Sequence, residues 1–227
     1  MIKSTKFLEE NFEANYRDFS SKLCYTSYPI MGVRLPKLKA YVKGLSLDEK
    51  FSFLDNFNPI YFEHTLLYGF ILGSLKCDID TFLIYFNKFL PYVDNWSTCD
   101  SSIASFKIIG KNLDNFKPII ENLLTKNVEF FQRVALVILL DYYVLDEYLD
   151  YIFHLVDGVK SNYYYVNMAI AWLLSVCYIK YPNQTEKYLR KNALDDFTFN
   201  KTLSKICDSF RVLDEDKVKI RYLRRKK

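Results

Sequence analysis

Apolar side chains recur every three or four residues along almost the whole chain, and this spacing constrains the fold more than any other feature. Near the start, Phe7, Leu8 and Phe12 alternate with Glu9 and Glu10, as on an amphipathic helix. The sequence holds no run with the two-residue period of a strand. Its 227 residues include only six Gly and six Pro, few for a sandwich, a barrel or a Rossmann domain. The pattern predicts an all-α fold.

Capping residues and breakers divide the chain into about a dozen helices with short links. Ser4 or Thr5 opens the first helix, Pro36 suits a first turn, and Ser46 with Glu49 forms a capping box. The predicted helices are 3–18, 36–43, 46–57, 61–76, 81–91, 96–109, 113–126, 128–143, 146–157, 162–180, 183–191, 198–210 and 215–225.

Short links force neighbouring helices to pack antiparallel, so the chain is expected to form stacked helix pairs. Pairs such as 81–91 with 96–109 and 113–126 with 128–143 recur at a spacing close to that of helical solenoid repeats. The expected architecture is an irregular α-solenoid spanning 1–227 as a single domain. A compact helical domain is the alternative.

Composition excludes several classes of protein. Half the residues are hydrophobic, which excludes a disordered chain. Five scattered Cys without a C-x-x-C pair and only two His are typical of reduced thiols in a cytoplasm, and they offer no zinc cluster. The longest apolar stretch, 168–179, is too short for a bilayer. We therefore expect a cytoplasmic chain with no membrane contact and no cofactor.

Charge is concentrated at the two ends, although the net charge is only +4. The stretch 19–47 has five basic residues and no acidic one, and 201–227 has ten basic against four acidic. In a curved solenoid both ends can approach one ligand across the concave face, which suits a phosphate backbone. For residues 224–227, a solvated tail is the alternative explanation. The candidate DNA-binding residues are Lys22, Arg34, Lys37, Lys39, Lys201 and Lys205.

Four residues are unusual in their helices. Trp96 and Asp100, in DNWSTCDSS, are four apart and share one helix face. Arg133 precedes seven consecutive apolar residues, and Trp172 lies in the apolar run MAIAWLLSVC. Each also has a purely structural explanation. The two Trp could be core residues, Asp100 could be a first-turn carboxylate, and Arg133 could pair with Glu129 one turn earlier.

Together these residues form a pattern that resembles a known family. The segments DNWSTCD, FFQRVAL, YYVNMAIAWLLSV and NALDDFTFNKTLSKI, with the early GVRLPKL, resemble the AlkD-type HEAT-like-repeat alkylpurine DNA glycosylases over roughly 20–212. The resemblance implies a concave cleft lined by the four positions that are Trp96, Asp100, Arg133 and Trp172 here.

The implied chemistry explains these residue types. An N3- or N7-alkylated purine is cationic, so its glycosidic bond breaks through an oxocarbenium-like sugar. Trp96 and Trp172 would attract the cation, Asp100 would stabilise the sugar and orient water, and Arg133 would hold a phosphate. The resemblance also implies that the base stays in the duplex rather than being flipped into a pocket.

Two positions depart from the family pattern. Active members bring a third aromatic ring from the N-terminal helices, where this chain has Leu23, with Tyr25 and Tyr28 close by. One turn after Trp172, where some members carry Arg, stands Ser175.

Three functions follow as hypotheses. The first is a monofunctional, monomeric glycosylase acting on duplex DNA with alkylated purines, with Asp100 catalytic. The second is an inactive family member that binds bent or branched DNA. The third is a protein-interaction scaffold, which a ring of exposed Tyr and Phe without basic neighbours would favour.

Overall fold

The computed structural model describes residues 2–226, and the all-α prediction is confirmed for them: they form fourteen α-helices and no strand. Met1 and Lys227, the two ends of the predicted 1–227 domain, lie outside the described residues. The helices are α1 Ile2–Asn11, α2 Ala14–Leu23, α3 Leu35–Gly44, α4 Leu47–Asp55, α5 Phe62–Ser74, α6 Ile79–Phe89, α7 Trp96–Ile103, α8 Leu113–Thr125, α9 Glu129–Ile138, α10 Leu149–Gly158, α11 Tyr164–Lys180, α12 Pro182–Arg190, α13 Asp196–Asp208 and α14 Asp214–Tyr222.

The helices fall into two compact units, one up to Asn112 and one from Leu113 onward. Helices α1–α7 belong to the first unit, and α8–α14 belong to the second. The single-domain organisation stays a prediction.

In the first unit, alternate helices lie side by side, because α5 packs against both α3 and α7. Helix α5 is buried along nearly its whole length. Gly69 and Gly73 allow α7 to approach closely, since a Cβ at either position would collide with Ser102 or Ser105. Helices α4 and α6 pack against α5 as well.

The second unit repeats this alternation. Helix α11 packs against α9 and α13. Helix α8 packs against α9, α12 packs against α11, and α14 packs against α13. The cores of α9 and α11 are apolar and buried. The packing inside each unit is that of an α-solenoid of helix pairs, as predicted.

Several predicted helix boundaries are wrong. The single helix over 3–18 is two helices, because the main-chain nitrogen of Glu13 donates to the carbonyl oxygen of Gly32 and the chain breaks there. The first of them begins at Ile2, before Ser4 or Thr5. The helix over 96–109 ends at Ile103 in a series of tight turns. Residues 139–143, predicted as the end of an α-helix, form one π-helical turn.

The capping box at Ser46 and Glu49 is confirmed. All five cysteines are free thiols. Within residues 2–226, no helix combines the length and the apolar character needed to cross a bilayer. In the same range no three His, Cys, Asp or Glu side chains cluster as a metal site would need.

Candidate functional site

Helix α7 begins at Trp96, and its start is fixed by polar contacts. Asn95 caps it: its Oδ1 accepts a hydrogen bond of 2.8 Å from the nitrogen of Thr98, and its Nδ2 donates to the Thr98 hydroxyl at 3.0 Å. The thiol of Cys24 donates to the same Oδ1 at 3.2 Å. The cap thereby ties the start of α7 to the end of α2.

Trp96 is also attached to α2 by its own side chain. Its indole Nε1 donates a hydrogen bond of 3.0 Å to the carbonyl oxygen of Leu23. The ring is half-buried and lines a small hollow of about 80 Å³, together with Tyr16, Phe19 and Leu23 of α2. Sequence and fold thus place aromatic side chains from the N-terminal helices beside Trp96.

Asp100 lies one turn after Trp96, on the same face of α7, and is half-buried. It is the fifth residue of the helix, so it lies beyond the first turn, where a carboxylate is stabilised most by the free N–H groups. The explanation of Asp100 as an ordinary first-turn carboxylate is therefore wrong.

The rings that share the small hollow with Trp96 are not the tyrosines that the sequence register predicts. The register points to Leu23, with Tyr25 and Tyr28 close by, but Tyr25 is 89% exposed and neither tyrosine lines the small hollow. Phe19, which is 58% exposed, does line it. Phe19 stands one helical turn before Leu23, so counting back one turn would have found it.

The GVRLPKL segment has a structural role at the start of α3. The carboxylate of Glu63 in α5 is 1% exposed and accepts hydrogen bonds from the main-chain nitrogens of Met31, Gly32 and Val33 at 3.0, 2.6 and 3.1 Å. Gly32 has a φ of +97°, which other residues rarely adopt, and its backbone packs against Arg17. This anchor fixes the loop that leads into α3.

Two of the candidate DNA-binding residues are engaged inside the first unit. Arg34 Nε lies 2.9 Å from Glu13 Oε2, and Lys37 Nζ lies 3.2 Å from Glu13 Oε1. Hydrogen bonds from these two cations lower the pKa of Glu13. The carboxylate offsets part of their charge, whereas Lys22 and Lys39 are exposed and form no ion pair with any described carboxylate.

In the second unit, Arg133 is almost fully buried, with 6% of its surface exposed. Its Nη1 donates a hydrogen bond of 2.8 Å to the carbonyl oxygen of Tyr165, and the guanidinium lies 5.9 Å from the centre of the Tyr165 ring. Glu129 Oε1 accepts a hydrogen bond of 2.9 Å from the Tyr165 nitrogen. Both side chains of α9 thus hold the first turn of α11, and the guanidinium is kept in one orientation.

Trp172 stands in the middle of α11. It is half-buried, while Ala171 and Leu173 beside it are buried completely, so part of the Trp172 surface stays accessible. Ser175 is 4% exposed, and its hydroxyl donates a hydrogen bond of 2.7 Å to the Trp172 carbonyl oxygen. The Ser175 hydroxyl is therefore hydrogen-bonded within its own helix.

The two remaining candidates lie on α13. Lys201 is exposed, with its Nζ 5.6 Å from the centre of the Phe197 ring, and Lys205 is half-buried. Trp96 and Asp100 thus share a helix of the first unit, and Arg133 and Trp172 belong to the second. That all four line one cleft stays a prediction.

The sequence was also compared with known proteins. No curated protein matches it. The family model described as DNA alkylation repair enzyme matches residues 5–206, which is most of the chain. The chain therefore belongs to the DNA alkylation repair enzyme family.

Proposed function

We propose that the chain is a monofunctional DNA glycosylase that hydrolyses the N-glycosidic bond of cationic N3- or N7-alkylpurines in duplex DNA. Membership of the family supports a role in DNA alkylation repair. The reaction type, the alkylated duplex as substrate and the absence of base flipping are parts of the proposal. So are a monomeric state, HEAT-like repeats and a cytoplasmic location.

One observation carries the proposal: an aromatic ring and a carboxylate lie one turn apart on the same face of α7, with the ring held by the Leu23 carbonyl. An aromatic face attracts a cation by about 0.5–2 kcal/mol. A fixed carboxylate stabilises the positive charge that develops on the sugar in the transition state. Trp96 and Asp100 supply these two groups.

The reaction needs no protonation of the leaving group. The C1′–N bond breaks, its electron pair neutralises the cationic purine, and the purine leaves as a neutral base. Water then adds to C1′ and releases one proton. Asp100 stabilises the oxocarbenium-like sugar and orients this water.

In this proposal the second unit binds the DNA backbone. Arg133 would hold a phosphate next to the lesion through parallel N–H groups, because its guanidinium is already oriented by the Tyr165 carbonyl. Trp172, which is only partly covered by its neighbours, would contact the nucleotide.

The charge of the leaving group provides the test. We expect release of 3-methyladenine and 7-methylguanine from methylated duplex, measured by chromatography of the free bases. Uracil, a neutral base, should stay attached in a matched duplex, since the enzyme offers no acid to activate it. Release of uracil at a comparable rate would contradict the mechanism, and no release of either methylated base would contradict the activity.

The second candidate is an inactive family member that binds bent or branched DNA. The observation that favours it is Ser175, which is buried and bonded to its own helix at a position where the resemblance implies a phosphate-binding Arg in some members of the family. Duplex binding without base release would support this candidate.

The scaffold hypothesis receives less support. Phe12, Phe19 and Tyr25 are exposed in the N-terminal helices. However, this surface has a basic neighbour, since the Arg34 guanidinium lies 4.7 Å from the centre of the Tyr16 ring.

A further inference from the structure

A second hollow in the first unit carries only positive charge. It has a volume of about 750 Å³ and lies where α3 and the last turns of α5 meet the turn after α7. Four of its lining residues are lysines, and none is acidic. The lysines are Lys39, Lys43, Lys50 and Lys107.

The backbone brings these lysines together from three places in the sequence. Lys39 and Lys43 are four apart on α3 and share one face, Lys50 comes from α4, and Lys107 follows α7. The turn that bears Lys107 lies close to α5 because Gly73 has no side chain to collide with Ser105.

Among the described residues, three of the four lysines that line this hollow are not paired with a carboxylate. Among residues 2–226, no carboxylate forms an ion pair with Lys39, Lys43 or Lys50. Lys37 on the same helix differs, since its ammonium lies 3.2 Å from Glu13. The Nζ of Lys39 lies 5.1 Å from the centre of the Phe70 ring, which holds the ammonium over the floor of the hollow.

Like charges gathered around a concave surface repel one another, so the arrangement does not stabilise the fold. It does create a positive potential that concentrates anions, and lysine ammonium groups bind phosphate oxygens as point charges. A ligand with several phosphates in a row could contact lysines from α3, α4 and the turn after α7 together.

We propose that this hollow binds consecutive phosphates of a DNA strand, as a second grip on the duplex away from the lesion. The inference rests on the proposed function, because it takes DNA as the polyanion. Ala104, at the edge of the hollow, follows Trp96 by eight residues, which is about 12 Å along a helix axis. The hollow thus contacts a part of the backbone other than the sugar beside Trp96 and Asp100.

The test is the salt dependence of binding to unmodified duplex, which requires no base excision. In Lys39→Gln/Lys43→Gln, two phosphate contacts are lost, so the slope of log affinity against log salt should flatten by about 1.8. Affinity at 0.1 M salt should fall roughly tenfold or more. Circular dichroism and the melting temperature should match the wild type, since both lysines are exposed.

The matched control is Lys187→Gln/Lys191→Gln, which removes two exposed lysines with the same spacing and lining none of the hollows described above. It should bind duplex with the wild-type slope. An equal loss in both variants would reveal a general effect of net charge and overturn the site.

The remaining outcomes separate this inference from the proposed function. If the wild type binds duplex and Lys39→Gln/Lys43→Gln keeps its slope, the hollow is not a backbone site, while the glycosylase proposal stands. If the wild type binds no duplex, both are wrong. Calorimetry with inorganic pyrophosphate tests whether the hollow is instead a site for a free anion. If Lys39→Gln/Lys43→Gln loses the heat of pyrophosphate binding but keeps the wild-type affinity for duplex, the assignment of the hollow to the DNA backbone is contradicted.

Discussion

The indole nitrogen of Trp96 donates a hydrogen bond of 3.0 Å to the main-chain carbonyl oxygen of Leu23. This bond joins the first residue of α7 to the last residue of α2, 73 positions apart. It orients the ring that we propose contacts the alkylated nucleotide, and it does so through a main-chain atom. The aliphatic side chain at position 23 therefore does not prevent α2 from positioning Trp96.

Replacing Trp96 by Phe tests this hydrogen bond. The variant keeps an aromatic face but loses the N–H donor, so we expect a loss of about 0.5–1.5 kcal/mol in the free energy of unfolding. Base release should also slow, because the ring is no longer oriented. Denaturant unfolding and single-turnover release measure the two effects. Trp172→Phe is the control for stability. Among the described residues, the indole N–H of Trp172 has no hydrogen-bond acceptor, so this variant should lose less of the free energy of unfolding. Equal losses would contradict the role of the Leu23 contact.

Gly32 provides a test of the loop anchor. Its φ of +97° and its contact with the backbone of Arg17 leave no room for a Cβ. Gly32→Ala should therefore lower the free energy of unfolding by more than about 1 kcal/mol. Gly158→Ala, at a position where an added Cβ meets nothing within 4 Å, should be neutral or slightly stabilising. Denaturant unfolding of both variants gives the comparison, and similar values would show that the loop relaxes at no cost.

His64 makes stability depend on pH. Burial lowers its pKa to about 4 from the usual value of 6.5, and its Nδ1 accepts hydrogen bonds from the nitrogens of Ile60 and Tyr61. Between pH 6.5 and 4 the unfolded chain takes up a proton that the folded chain does not. Stability is therefore lost as pH falls through this window, by an amount on the order of 2–3 kcal/mol.

Unfolding curves at a series of pH values measure this loss. His64→Asn keeps a side-chain acceptor without a titrating ring, so its stability should depend less on pH between 6.5 and 4. His154→Asn, at an exposed position, should follow the wild type. A wild-type pH profile in His64→Asn would assign the dependence to other groups.

Arg133 separates a role in DNA binding from a role in holding α11. Arg133→Ala removes a hydrogen bond from a buried cation to the Tyr165 carbonyl, at a cost of about 1.5–3 kcal/mol in stability. If the guanidinium also holds a phosphate, the salt slope of duplex binding should flatten by about 0.9. Arg190→Ala, at an exposed arginine paired with Glu186, is the control and should keep the slope. An unchanged slope in Arg133→Ala would leave Arg133 a structural residue only.

The sequence predicted the helices well, because helical spacing and capping residues are local signals. Ser46 caps the helix that the pattern assigned to it, and Asp78 and Asn95 cap α6 and α7 in the same local way. The break between α1 and α2 is not predictable in this way. It depends on the hydrogen bond from the Glu13 nitrogen to the carbonyl oxygen of Gly32, which is about twenty residues further along the chain.

The same limit applies to the candidate site. The spacing of Trp96 and Asp100 places both on one helix face, and their residue types suggest the chemistry. The ion pairs of Arg34 and Lys37 with Glu13 depend on how the start of α3 meets the junction of α1 and α2, which periodicity does not describe. The position of Phe19 beside Trp96 depends on the end of α2 meeting the start of α7.

The most direct test of the central claim is single-turnover release of 7-methylguanine from methylated duplex by the wild type and by Asp100→Asn. The substitution removes the charge and changes little volume, so we expect release to be abolished while duplex affinity stays within about twofold. Asp150→Asn, which removes an exposed carboxylate on α10, should release the base at the wild-type rate. Full activity in Asp100→Asn would show that Asp100 is not the catalytic carboxylate.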